Sequence, residues 1–336
     1  MKLSVALAVG ITASAALLGG AAQSTPVLCS GRWCSPYYLA AGSNPTGVAL
    51  ADFDADRWTD IAVAVQGDDK LAILMNSSAG AQFDPALDIP LAGGSAPHSV
   101  VAVDIDNDDD LDLVVTRTGM NDVQVLTNTG GVLSLGATTG VGGTLPSDIA
   151  AGDIDGNGFV DIVTSNRGSS DVSVLFNTTG VLSSGVPYAV GSGPRGLALS
   201  DFDGEGSLDL AVASSDTGMV DILLNDGSGI LGLDSSLAVG TDLNPSGGVA
   251  AGDFNGDQTV DVAVVTTGPA GDFATTFMNL GAGLFDAPEH FRSDENHPIN
   301  DTGNPRALIA KDLDTRWLRR PNTHEPRNQS HGEPVG

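Results

Sequence analysis

GDIDGNGFVD, residues 152–161, sets Asp153, Asp155, Asn157 and Asp161 two, two and four residues apart, with glycines at 156 and 158. Carboxylates packed this closely repel by about 4 kcal/mol per pair at 4 Å for an effective dielectric near 20, so the stretch demands a positive charge in its midst. A loop of the form Asp-x-Asp-x-Asp-Gly-x-x-Asp offers side-chain oxygens at its first, third, fifth and ninth positions and a backbone carbonyl at the seventh. The hard cation that takes many oxygens in flexible geometry is Ca²⁺. Glycine at the sixth position permits the sharp turn, and an apolar eighth residue anchors the loop to a core. The pattern is close to an EF-hand loop but lacks the glutamate at the twelfth position and the flanking helices.

The stretch recurs. LADFDADRWTD stands at 50–60, VDIDNDDDLD at 103–112, SDFDGEGSLD at 200–209 and GDFNGDQTVD at 252–261; a damaged copy, KDLDTRWLRR, lies at 311–320. The leading aspartates, 52, 104, 153, 201, 253 and 312, are 52, 49, 48, 52 and 59 residues apart. A proline precedes the first Asp by seven residues in five copies (Pro45, Pro97, Pro146, Pro194, Pro305) and by eight in one (Pro245). An asparagine follows the last Asp by sixteen residues in four copies (Asn76, Asn128, Asn177, Asn225) and by eighteen in one (Asn279). A period near 50 residues points to a propeller, solenoid or array. Between the markers the chain reads as short strands: GVALADF into the acidic loop, DIAVAV or DLAVAS out of it, then LAILMN, VQVLTN, VSVLFN or VDILLN, then looser segments such as PYAVGSG. Four strands per unit predict an all-β fold, a β-propeller of four-stranded blades with about five complete blades and a truncated sixth.

The expected metal ligands follow copy by copy. Loop one offers Asp52, Asp54, Asp56 and Asp60, with Arg57 in place of the glycine; loop two offers Asp104, Asp106, Asp108 and Asp112, with Asp109 at the turn. Loop three offers Asp153, Asp155, Asn157 and Asp161 and matches best. Loop four offers Asp201, Asp203, Glu205 and Asp209; loop five offers Asp253, Asn255, Asp257 and Asp261, with Gln258 at the turn. Carbonyls of Trp58, Asp110, Phe159, Ser207 and Thr259 would complete the sets. The five loops hold 4, 6, 3, 4 and 3 acidic residues, twenty of the 42 in the chain. Extracellular calcium modules bind at roughly 10⁻⁴–10⁻³ M. With calcium tenfold above such a constant each site stabilises the fold by about 1.4 kcal/mol, and five by about 7 kcal/mol, comparable to a domain's whole net stability.

Repeats such as GLALSDFDGEGSLDLAVASSDTGMVDILLNDGSG, residues 196–229, resemble the FG-GAP/VCBS-type repeats of integrin-alpha-like β-propellers. The resemblance covers residues 36–314. It implies a ring of four-stranded blades with calcium between the first two strands of each, and a role in adhesion, recognition or polysaccharide contact; a few such proteins are enzymes. The missing turn glycines of loops one, two and five depart from the pattern.

The 336 residues carry 42 acidic and 14 basic side chains, a formal charge of −28, which argues against nucleic acid or an anionic membrane as partner. Residues 1–23 read as a cleaved signal peptide: Lys2, then an apolar stretch from Leu3 to Leu18, then Gly20-Ala21-Ala22. No run is long enough for a comfortable membrane span. The expectation is a secreted, extracellular protein without membrane insertion. In an oxidising compartment Cys29 and Cys34, in the N-terminal segment 24–35, are expected to form a local disulfide. PYYLAAGSNP at 36–45 matches the fourth strand of a blade, so the propeller at 36–314 begins with an outer strand that would complete its last blade.

Loop six places Arg316 and Arg320 where ligands belong, and residues 315–336 show no strand pattern, reading as a disordered tail. A slip of reading frame from residue 316 onward accounts for both, since one choice of codons for RWLRRPN shifts into Asp-Gly-Tyr-Asp-Asp-Leu and restores the motif.

Two functional readings remain open. One is a non-enzymatic, calcium-binding scaffold that recognises an extracellular protein or polysaccharide. The other is a lyase or hydrolase acting on extracellular polysaccharide, which needs a non-repeated polar cluster. The histidines are its candidates: His98 fills a position held elsewhere by Thr46, Ser147 and Arg195, while His290 and His297 flank a period-breaking stretch at 286–304 that reads as a surface insertion. His324 and His331 lie in the tail. No catalytic residue is assigned, and no GxSxG, HExxH or phosphate-cradling loop occurs. Sequons stand at Asn76, Asn177, Asn300 and Asn328. A third reading makes the repeats spacers of a larger surface protein.

Overall fold

A computed structural model describes residues 40–77, 83–269 and 271–292. The signal segment, both cysteines, the sixth copy, His297 and the tail lie outside these residues. So does most of the expected N-terminal outer strand; its described part, residues 40–42, is irregular.

Each repeat folds into one antiparallel sheet of four strands, giving five such sheets among the described residues. The first comprises β1 (Pro45–Ala51), β2 (Asp60–Val65), β3 (Lys70–Leu74) and β4 (Leu87–Pro90). The second comprises β5 (Pro97–Val103), β6 (Asp112–Arg117), β7 (Asp122–Thr129) and β8 (Val132–Gly140). The third is built from β9 (Pro146–Gly152), β10 (Asp161–Asn166), β11 (Asp171–Leu175) and β14 (Val186–Ala189), with a small hairpin, β12 (Asn177–Thr178) and β13 (Val181–Leu182), interposed. The fourth has β15 (Pro194–Ser200), β16 (Asp209–Ser214), β17 (Met219–Asn225) and β18 (Leu231–Ala238); the fifth has β19 (Asn244–Gly252), β20 (Asp261–Gly268), β21 (Gly271–Phe277) and β22 (Glu289–Arg292). The first strands of successive sheets pack on one another, β1 on β5, β5 on β9, β9 on β15 and β15 on β19. The sheets are thus blades of a β-propeller.

The proline that marks each repeat opens, or in β19 nearly opens, the innermost strand. There its missing N–H costs no ladder bond. A register shift follows at once, as between Pro45 and Gly47 and between Pro194 and Gly196. The second strands explain the continuous apolar runs: β6, β10 and β16 are buried along their whole length because a blade lies against each face. Each seam between blades carries its own core. Phe53, Leu71 and Ile73 meet Val100, Leu113 and Leu126 at the first, and Phe202, Val220 and Ile222 meet Val249, Val262 and Phe277 at the last. Near the axis the inner strands approach very closely. A methyl group on Gly196 would lie 1.4 Å from the Gly247 carbonyl oxygen, so only glycine fits there.

His290 corrects one expectation. Residues 289–292 of the expected insertion form β22, the outer strand of the fifth blade, paired with β21, and residues 293–304 lie outside the described residues. Its Nδ1 lies 3.0 Å from Thr275 Oγ1 and its ring meets Phe273 edge-on, while the residue itself stays exposed on the outer strand. Two sequons are also misleading: Asn177 is fully buried and Asn76 nearly so, leaving no room for a glycan in the folded chain.

Hydroxyl groups beside the prolines tie the first blade to the second and the third to the fourth. Thr46 Oγ1 donates to the Pro97 carbonyl at 3.1 Å, and Ser147 Oγ to the Pro194 carbonyl at 3.1 Å. Asp148 spans three blades: one carboxylate oxygen accepts from Ser99 Oγ at 2.9 Å, the other from the Leu197 N–H at 3.1 Å. Burial pushes its pKa up to about 6, against the pull of these hydrogen bonds. The folded chain therefore holds a proton that the unfolded chain has released. The stabilisation from Asp148 is complete below pH 3.8 and is lost as pH rises through about 6. Asp148→Asn removes this dependence. Thermal melts of wild type and variant between pH 5 and 7 should show the wild type losing several degrees relative to the variant as pH rises; parallel curves would refute the assignment.

Candidate metal centres in the acidic loops

All five acidic loops join the first and second strands of a blade, so they lie together at one end of the ring. In each, the ninth residue is the pivot. Asp60, Asp112, Asp161, Asp209 and Asp261 are fully buried. In loop three, Asp161 Oδ2 accepts the Ile154 N–H at 2.8 Å and Oδ1 accepts the Asn177 N–H at 2.7 Å. The same pair of bonds recurs at Asp60, Asp112, Asp209 and Asp261, with donors Phe53 and Asn76, Ile105 and Asn128, Phe202 and Asn225, and Phe254 and Asn279. The first residue organises the turn: Asp153 accepts the N–H groups of Asn157 and Gly158 at 3.0 and 2.9 Å.

The asparagine that keeps phase with each loop is a clamp between blades. Asn177 Nδ2 donates to the Val160 carbonyl of its own loop and to the Ile105 carbonyl of the preceding loop, at 3.0 and 2.7 Å. Asn128, Asn225 and Asn279 reach back in the same way to Phe53, Ile154 and Phe202. Asn76, on the first described blade, donates only to Thr59, and its Oδ1 is buried without a partner. The sequence revealed the spacing of these asparagines but not their task.

The loops bring together most of the expected ligands. Asp52, Asp54 and Asp60 each place a carboxylate oxygen within 4.8 Å of the others, as do Asp104, Asp106 and Asp108, Asp153, Asp155 and Asp161, and Asp201, Asp203 and Asp209. In loop one Asp56 stands outside the closest group, and in loop two Asp112 does. In loop three Asn157 turns its Oδ1 to the Phe159 N–H and its Nδ2 to the Asn177 carbonyl. Glu205 is exposed beside the loop-four group. Loop five, with Asn255 at the third position, forms no trio of carboxylates; Asn255 instead donates to Asp257 at 2.8 Å.

Electrostatics favour a cation in these loops. Burial raises the pKa of Asp60, Asp112, Asp161, Asp209 and Asp261, and neighbouring loop carboxylates push in the same direction. The ion pairs among the described residues are Lys70 with Asp68 and Asp88, and Arg117 with Asp122; none serves a loop. A buried carboxylate is stable when a cation or metal accompanies it, and an all-oxygen set around a tight turn suits Ca²⁺. The residues present fit that ion.

The turn itself forms in every copy. The sixth residue is left-handed throughout, at φ 86° and 95° for Gly158 and Gly206, but also at 78°, 70° and 76° for Arg57, Asp109 and Gln258. Absence of glycine therefore strains loops one, two and five without reshaping them. A side chain in this conformation costs roughly 1 kcal/mol or more, partly offset by the chain entropy glycine loses on folding. Gln258→Gly should raise stability by up to about 1 kcal/mol in chemical denaturation, while Gly158→Gln lowers it. Asn177→Ala, which leaves two buried carbonyls without their donor, should cost about 2–4 kcal/mol, and Asn76→Ala distinctly less. Equal losses at Asn76 and Asn177 would refute the clamp.

A sequence model of the FG-GAP-like repeat matches residues 52–115 and 201–264, each spanning one acidic loop, the strands after it and the next loop. No curated protein matches the sequence. Among solved structures, a protein from Lactobacillus plantarum is similar over 76% of this chain and 72% of its own, with 17% identity and a TM-score of 0.54. A functionally unknown protein from Desulfotomaculum acetoxidans is similar over 76% and 78%, with 14% identity and a TM-score of 0.51. A protein from Bacteroides uniformis, provisionally assigned as a 6-phosphogluconolactonase, is similar over 74% and 72%, with 14% identity and a TM-score of 0.55. At these identities the likeness concerns the fold. Residues 52–115 and 201–264 thus match FG-GAP-like repeats, within a chain whose stacked four-stranded blades form a β-propeller fold.

Proposed function

We propose that the chain is an exported calcium-binding propeller that serves as an extracellular recognition or adhesion scaffold. The observation that carries the metal part is the set of fully buried aspartates, one per described blade, which no cationic side chain among the described residues pairs with. Calcium in each loop would neutralise Asp60, Asp112, Asp161, Asp209 and Asp261 together with the acids at the first and third positions. The same aspartates hold the asparagine clamps, so an ion at the loop would strengthen the seams between blades. Export is supported by the apolar segment at 3–18 and by the millimolar calcium such weak sites need. The scaffold role is supported by the repetition itself: the loops of all blades do the same work and leave the rest of the surface free to vary.

The test is thermal unfolding of the mature chain with millimolar CaCl₂ and with chelator. Calcium should raise the melting temperature by about 10 °C or more, as several kcal/mol implies for a chain of this size. The gain should shrink as pH falls toward 5, because the ion competes with protons for the same oxygens. Calorimetric titration should count four sites of similar strength and a weaker fifth in loop five. Identical melts with calcium and chelator would overturn the proposal.

A further inference from the structure

The acidic loops share their end of the ring with the segments that join the third and fourth strands of the blades. In four blades this segment contains Gly131-Val132-Leu133, Gly180-Val181-Leu182, Gly229-Ile230-Leu231 or Gly283-Leu284-Phe285. The glycine lies against the acidic loop of the preceding blade, at the third position of its ligand set. A methyl group on Gly131 would stand 3.0 Å from Asp54 Cβ, one on Gly180 2.8 Å from Asp106 Cβ, one on Gly229 3.0 Å from Asp155 Cβ and one on Gly283 3.8 Å from Asp203 Cβ. The last residue of each triplet turns inward: Leu182 and Leu231 are buried, Leu133 and Phe285 half-buried. Alternation then sends the middle residue outward, and Val132, Val181, Ile230 and Leu284 are 61–69% exposed.

Apolar residues scattered singly over a surface call for no account. These four occupy one position of the repeat. An outward position of a half-solvated sheet ordinarily takes a polar residue, and the first repeat has Gln82 there in sequence, so the repeat does not demand an aliphatic side chain. Each of the four stands beside an acidic loop, and the loop end of the propeller therefore intersperses aliphatic with acidic groups. The loops hold twenty acidic residues; five calcium ions would offset ten of those charges and Arg57 one more, which leaves this end negative by about nine. Asp226 adds an exposed carboxylate in the joining segment of the fourth blade. A second copy docked loop end to loop end would oppose like charges, and an acidic polymer or an anionic membrane meets the same repulsion. A cationic polypeptide is attracted to the loops, and its apolar side chains can cover the aliphatic groups between them.

We infer that the loop end of the propeller is a docking surface for a basic, apolar polypeptide segment, whose Lys and Arg side chains meet the acidic loops and whose apolar side chains rest on Val132, Val181, Ile230 and Leu284. Repetition of one contact at successive seams lets a longer segment engage several at once. The inference rests on the recognition role proposed above and names its partner class. The sign of this surface does not depend on calcium, because the loops are more acidic still without the ion.

Fluorescence anisotropy of the mature, calcium-saturated chain with three labelled peptides tests it: leucine alternating with lysine, serine alternating with lysine, and leucine alternating with glutamate. The leucine–lysine peptide should bind saturably, at least tenfold tighter than either of the others, and more weakly as sodium chloride is raised. Val132→Thr, Val181→Thr, Ile230→Thr and Leu284→Thr combined should weaken its binding at least tenfold. Met120→Gln, which changes an exposed apolar residue in the turn between the second and third strands at the opposite end, should leave it unchanged. The four positions are exposed, so the combined variant should melt as the wild type does; the pair Val132→Thr with Val181→Thr, with a smaller loss of affinity, gives the same reading on a lesser change. Equal binding of the leucine–lysine peptide and either of the others, binding unchanged in the threonine variants, or no binding of any peptide would overturn the inference. So would self-association of the wild type that the combined variant loses, which would assign this surface to a second copy. None of these outcomes touches the calcium reading, which fails separately if the melting temperature ignores calcium.

Discussion

A carboxylate that is buried, hydrogen-bonded and without a cationic neighbour sets the terms for this propeller. Asp161 and its four counterparts lie at zero exposure where the first and second strands part. Each accepts one N–H from the start of its loop and one from the asparagine at the end of the third strand. That geometry fixes three strands of a blade relative to one another with a single side chain. It also concentrates negative charge where water cannot screen it, next to the half-buried and exposed acids at the first, third and fifth positions of the loop.

The seams between blades follow from the same device. A four-stranded sheet cannot bury both faces alone, so apolar runs such as Leu210–Val212 acquire cover only when a second blade is stacked on each side. Dispersion and burial supply the attraction, but they do not fix register. Polar ties do: asparagine amides reach back one blade at the loop end, and hydroxyls reach forward one blade at the proline end. Because each tie links neighbours only, stability is distributed along the ring.

Period and loop chemistry were legible in the sequence because both are written in residue type. Aspartate at fixed spacing, proline at strand entry and β-branched runs after the loop each answer to a local rule. The asparagines were visible as markers, yet their reach to the preceding loop depends on how one blade stacks on another, which no local pattern encodes. The same holds for His290. A break in the period suggested an insertion, whereas the longer β20–β21 hairpin shifts the outer strand to 289–292 without interrupting the sheet. The missing turn glycines also misled in part, since Arg57 and Gln258 adopt the left-handed turn under the constraint of the hydrogen bonds around it.

Repetition also separates structural residues from functional ones without any comparison with other chains. Where one residue type fills a position in every blade, the fold requires it, as the buried aspartates and the asparagines demonstrate. Where a position is polar in every blade but charged in one or two, stacking alone does not explain the charge. Asp148 illustrates a charge that the fold does absorb: it replaces the glycine of Gly47 and Gly196, and both oxygens are used to join three blades.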